Sequence, residues 1–135
     1  MNENEKIKYL EFIQNIITRM NTNSFQIKKM TLIVASALLA IYVETVNKSF
    51  GLICFFSTIL FWYLDAYYLY QESLFRALYN DVICSRKKIK CFDMNIARYK
   101  ERLSIWESAF SRTVCPMYIL ILVLSLFCFW ENYTT

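Results

Sequence analysis

Three runs without a single charged side chain dominate this sequence: residues 30–43, 49–64 and 113–130, of 14, 16 and 18 residues. A helix crosses the hydrocarbon layer with about 20 residues, in a range of roughly 17–25. The first two runs reach that length once their boundary charges are included, because Lys28, Lys29 and Lys48 can bury their stems and lift their ammonium groups to the interface. One Gly and one Pro in 135 residues leave little turn chemistry for a β-rich fold. The sequence therefore predicts an all-α integral membrane protein with three transmembrane helices, at 26–46, 49–70 and 113–131. The first run begins too deep in the chain for a signal peptide, and no small-residue cleavage site follows it.

Lys and Arg sort by segment. Five lie in residues 1–29, one in the link after the first span, nine in residues 71–112, and none after Trp130. With three spans the sides alternate, so fourteen basic residues fall on one face of the membrane and one on the other. The positive-inside rule then puts the N-terminus and the long loop in the cytoplasm, and the link and the 132–135 tail outside. Topology and attraction to anionic headgroups account for most of this charge.

Residues 61–82, FWYLDAYYLYQESLFRALYNDV, pass from membrane-grade to water-grade sequence without a break. A helix from Phe50 to Asp81 would be about 48 Å long, against a hydrocarbon layer of about 30 Å. Its last turns should emerge with an apolar stripe: Leu64, Tyr67 or Tyr68, Leu74 or Phe75, Leu78 and Val82. Glu72 and Arg76 are four apart, in the favourable order for an ion pair, on the opposite side.

Residues 1–24 read as a cytoplasmic amphipathic helix. Tyr9, Leu10, Phe12, Ile13, Ile16, Ile17 and Met20 share one face. Docking that face on the exposed stripe satisfies both at once and is favoured over lying on lipid. Asn21-Thr22-Asn23-Ser24 should stop this helix, with Asn23 or Ser24 capping the next. Beyond the turn Arg86-Lys87-Lys88-Ile89-Lys90, Asp93 is a candidate N-cap for a helix at 94–112. Its apolar residues Ile96, Tyr99, Leu103, Trp106 and Phe110 step like a coiled-coil seam. Residues 71–112 thus form a cytoplasmic helical hairpin extending the second span.

Asp65 is the sharpest single residue. An intramembrane carboxylate is costly unless paired. The plain reading is a structural ion pair with Lys28 or Lys29, which enter at the same leaflet. The alternative is a ring of Asp65 copies around an oligomer axis, attracting cations at an inner mouth. Glu44, near the outer end of the first span, is interfacial or part of such a path. The spans otherwise carry few polar residues, so any pore should close at a hydrophobic constriction. Arg86, Lys87, Lys88, Lys90, Arg98, Lys100 and Arg102, with Tyr99 and Trp106 as stacking surfaces, offer a phosphate-binding set for single-stranded nucleic acid; their spacing forms no motif. Without His, a glycine loop or clustered carboxylates, neither catalysis nor a metal or other cofactor is expected.

Two segments carry a likeness. Arg19, Met20, Asn23, Ser24, Phe25 and Lys28, then Trp62, Asp65, Tyr67, Tyr68, Glu72, Arg76 and Tyr79, match RMxxNSFxxK and FWxLDxYYLxxExLFRxLY blocks. The first 80 or so residues thereby resemble a group of small bacterial inner-membrane proteins found in phage-defence islands, including membrane effectors of the Hailong type. The resemblance implies a homo-oligomer, here a tetramer, that passes ions in answer to an oligonucleotide or cyclic-nucleotide signal from a partner nucleotidyltransferase. Hydropathy and spacing support equally a non-conducting anchor that recruits a cytoplasmic partner.

Overall fold

A computed structural model describes residues 2–84, 90, 92–112 and 114–134. Helix α1 spans Glu3–Thr45 and α2 spans Lys48–Cys84. A single 3-10 turn, Ala97–Tyr99, and a short α3, Ile105–Ala109, lead to α4, Cys115–Thr134. Among the described residues there is no strand.

At 43 and 37 residues, α1 and α2 are rods of about 65 and 56 Å. Both are long and apolar enough to cross a membrane. Their most apolar windows are only 17% and 28% buried within the chain, so most of that surface faces something else. The third apolar helix, Cys115–Glu131, is shorter. Val46 and Asn47 alone join α1 to α2. Val46 turns left-handed at φ 54° and donates its N–H to the Tyr42 carbonyl at 2.7 Å. Asn47 Oδ1 accepts from the Ser49 N–H at 3.0 Å, satisfying one free donor of the new helix. Pro116 is the second residue of α4, where its missing N–H has no partner to lose.

The main apolar core sits at the ends of the long rods away from their link. Tyr9, Ile13 and Ile17 of α1 meet Leu74, Leu78 and Val82 of α2, with Tyr99 closing the cluster. The N-terminal amphipathic face therefore docks on the stripe of the long helix. A smaller contact of Ala35, Cys54 and Ile121 ties α1, α2 and α4 near the other end, where small side chains permit close approach.

Two expectations fail here. The helix break at Asn21-Thr22-Asn23-Ser24 does not occur, because α1 runs straight through. These residues disfavour helix by at most about 0.7 kcal/mol each, and neither Gly nor Pro enforces a stop. Packing outweighs that sum: Ile17, Ser24 and Thr31 lie buried along one continuous face. Ser24 caps nothing and spends its hydroxyl on Asp65.

The second helix of the hairpin is also absent. Residues 92–112 form an irregular strap along α2 instead. Asp93 Oδ1 accepts from the Asn95 N–H and Asn95 Oδ1 from the Ala97 N–H, each at 3.0 Å. Two consecutive side-chain turns of this kind compete with helix. Asp93 is therefore a turn former and not a helix cap. The seam divides accordingly: Ile96, Tyr99 and Leu103 join the core, while Trp106 and Phe110 are 69% and 60% exposed.

The strap is pinned at two phenols. Tyr9 donates its hydroxyl to the Asp93 carbonyl. Tyr99 donates to Asp81 Oδ2 at 2.7 Å. Burial first, then the Asp81 carboxylate, pushes the Tyr99 phenol up to about 12 from its usual 10.0. The folded state keeps this proton where the unfolded chain has lost it. Its contribution is thus full below pH 10 and declines as pH rises from there toward 12. Alkaline titration should show a tyrosinate absorbance step near pH 12, coincident with strap release, and Tyr99→Phe should remove that step. A Tyr99 that titrates with the bulk phenols would contradict the buried Asp81 bond.

Candidate functional site

Asp65 lies on α2 where the apolar run gives way to polar sequence, and it is fully buried. Three side chains from the other two long helices converge on its carboxylate. Lys28 Nζ of α1 is 3.0 Å from Oδ2 and 3.2 Å from Oδ1. Ser24 of α1 donates its hydroxyl to Oδ1. Tyr118 of α4 donates its hydroxyl to Oδ2 at 3.0 Å.

The local sequence explains the arrangement. Ser24 and Lys28 are four apart, hence neighbours on one face of α1, and Lys28 Nζ donates to Ser24 Oγ at 2.8 Å. Lys29 turns away, exposed, with its ammonium 4.8 Å from the Phe25 ring centroid. Lys28 is therefore the counter-ion and Lys29 is not. The Lys28 side chain is 21% exposed, so its stem is sheltered while part of it stays reachable by water.

An aromatic stack backs the cluster. Trp62 lies parallel to Tyr118, ring centroids 6.0 Å apart and planes 4° apart. Its indole N–H donates to the Ala109 carbonyl at 2.9 Å, and Phe110 meets its ring edge-on at 5.8 Å. The carboxylate, the apolar part of α2 and the strap are thus linked through one stack. Among the described residues no buried side-chain nitrogen or oxygen lacks a partner.

This geometry makes a joint and not an open site. A buried carboxylate would cost several kcal/mol if unpaired. Here each oxygen is occupied by donors, leaving no open position for substrate. Of the two readings of Asp65, the ion pair is the one this geometry displays: the carboxylate is 0% exposed and both its oxygens are taken within the protomer.

The other expected residues divide. Glu72 and Arg76 do pair, at 2.6 Å, but Glu72 is not on an outer side: its side chain is 8% exposed against 60% for Arg76. Both line a polar recess of about 280 Å³ beneath the strap, with Ser104 and Glu107 opposite. Glu44 is exposed at the end of α1 nearest the link. In the basic set, Lys90, Lys100 and Arg102 are exposed. Arg98 is held by Asp93 Oδ2 at 3.1 Å and lies 5.8 Å from the Tyr99 ring centroid. Tyr99 is 1% exposed, so its ring is core and offers no stacking face to a base. Trp106 keeps an exposed ring, stacked at 6.4 Å on Phe110. Arg86, Lys87 and Lys88 lie outside the described residues. No group of three or more metal-ligating side chains occurs among the described residues.

Two partners of Asp65 were missed from sequence. Ser24 sat in a helix-stop signal, although its four-residue spacing from Lys28 was available. Tyr118 is 53 positions from Asp65, with no local pattern to point to it. No protein-family model, curated protein or solved structure matches the chain.

Proposed function

We propose that this chain is a three-span protein of the bacterial inner membrane, N-terminus inside and C-terminus outside, acting as an anti-phage effector. In this reading it assembles as a homo-oligomer, a tetramer, and opens an ion path in answer to an oligonucleotide or cyclic nucleotide made by a partner nucleotidyltransferase. The observation that carries the reading is continuity. Helices α1 and α2 each pass unbroken from a docked, water-grade segment into a largely unburied apolar one, with the Asp65 cluster where they change. A displacement of the strap or the docked N-terminal segment therefore acts on the spans as a lever acts on a pivot. Asp65 is the pivot in this scheme and not a lumen residue. Closure falls to apolar side chains between protomers. Exposed Lys90, Lys100 and Arg102, with the adjoining Arg86, Lys87 and Lys88 of the sequence, supply the phosphate-binding charge.

One observation favours the second reading, a non-conducting anchor. The carboxylate most suited to line a pore is consumed inside the protomer. Vesicle leak separates the two. The purified chain should release trapped ions at a rate that changes at least roughly tenfold when single-stranded DNA or a cyclic nucleotide is added, a coupling of about 1.4 kcal/mol. Vesicles that stay tight under every condition, with a cytoplasmic protein captured instead, would leave the anchor.

A further inference from the structure

A groove of about 390 Å³ lies between α2, α3 and α4, separate from the Asp65 cluster that it adjoins. Its walls include Trp62 and Ala66 of α2, Trp106 and Ala109 of α3, Phe110 just beyond α3, and Leu122 of α4. They are almost wholly carbon. The one polar atom of the Trp62 ring is already spent on the Ala109 carbonyl, which leaves the indole face as wall. A water inside would lack the two to four polar partners that hold one in place.

Three observations point to the occupant. The lining continues outward onto Ile59 and Tyr63, 42% and 60% exposed on α2, so the mouth opens onto the unburied apolar surface of the rods. Trp62 and Ala66 bracket Asp65, which sets the groove where apolar sequence ends and where aromatic rings gather at a membrane interface. Arg112 is exposed and follows the wall residue Phe110 by two positions, so the segment that leaves the groove carries a cation.

We propose that this groove holds one acyl chain of an anionic phospholipid of the cytoplasmic leaflet, with Arg112 supplying the charge for its headgroup. The proposal rests on the membrane reading above. The chain enters sideways from the surrounding lipid and lies against Trp62 and Trp106. Through Trp62 it touches the stack on Tyr118, so lipid occupancy bears directly on the joint.

The test uses the full chain carrying Trp130→Phe, which removes the exposed indole at the other end of α4, purified in a mild detergent. Phosphatidylglycerol with brominated acyl chains is titrated in and tryptophan fluorescence is read. Quenching should saturate near one lipid per protomer. Ala109→Leu, which fills the groove, should raise the half-quenching concentration roughly tenfold. Leu122→Phe is the second filling variant, used should the first not fold. Arg112→Gln should erase the preference for phosphatidylglycerol over brominated phosphatidylcholine. Quenching that climbs without saturating, or that is the same in a filled variant as in the parent, means bulk lipid only and overturns the proposal. An unquenched groove in a self-associated protein means a second copy covers it, and also overturns it. Resistance of the membrane-bound chain to alkaline carbonate extraction is measured alongside. A chain that resists extraction but shows no saturable quenching sinks the groove alone; a chain that washes off sinks the membrane reading itself.

Discussion

Asp65→Ala is expected to destabilise the helix assembly by about 3 kcal/mol or more, the low end of the range for breaking one partner out of a buried ion pair. The low end applies because Lys28 is partly exposed and can draw its ammonium toward water once the carboxylate is gone. Ser24 and Tyr118 are both buried, and each loses the carboxylate that accepts from its hydroxyl. Asp65→Asn should cost less, about 1–3 kcal/mol, since an amide oxygen still accepts from one of them. The double variant Asp65→Asn with Lys28→Met should be milder than the two single costs added, because the charges are then removed together. Denaturant titration of the detergent-solubilised chain measures all of these. A variant lacking the carboxylate that unfolds at the same midpoint as the parent would show that the cluster contributes nothing to holding α1, α2 and α4 together. In the vesicle assay the same variants should change leak in step with their loss of stability, as expected of a pivot. A change in ion selectivity with unaltered stability would instead return Asp65 to the conduction path.

Thr22→Pro should have the other large effect. Thr22 is exposed in the middle of α1, so the substitution disturbs little but the backbone. Proline there removes the N–H that donates one turn back and strikes the carbonyl of Thr18, at a cost of about 3 kcal/mol or more. The break falls between the docked segment with Tyr9, Ile13 and Ile17 and the apolar part of the helix. The N-terminal segment should become cleavable by trypsin at Lys6, Lys8 and Arg19. On the effector reading proposed above, the response to nucleotide in vesicles should disappear while basal leak remains, since the apolar helices are untouched. If cleavage and response are both unchanged, mechanical continuity through residues 21–24 is irrelevant to function. Thr22→Ala serves as the control: it favours helix and should leave both readouts as they are.

The residues themselves show which parts could be read in advance. Tyr9, Ile13 and Ile17 announced their face by helical spacing, as did Leu74, Leu78 and Val82, and the two faces do meet. A pairing of Asp65 with Lys28 or Lys29 followed from the cost of a lone carboxylate among apolar neighbours, and the structure chose Lys28. The strap was misread because Ile96, Tyr99, Leu103, Trp106 and Phe110 carry helical spacing while Asp93 and Asn95 carry turn chemistry. Where the two conflict here, the turns win. Glu72 was assigned to the wrong side because a single helix cannot reveal which of its faces a returning segment will cover.

From the amino-acid order alone come the helical build, the apolar lengths and the two amphipathic faces that the structure then docks together. These depend on periodicity and on burial of carbon surface, which act along a helix irrespective of distant partners. The tertiary structure alone decided that α1 continues through Asn21-Thr22-Asn23-Ser24, that the strap is irregular, and that Tyr118 and Ser24 complete the shell of Asp65. Local preferences at a helix junction amount to a few tenths of a kcal/mol per residue. A buried carboxylate in need of donors and a continuous packed face are each worth more, and their partners lie 41 and 53 positions away in Ser24 and Tyr118.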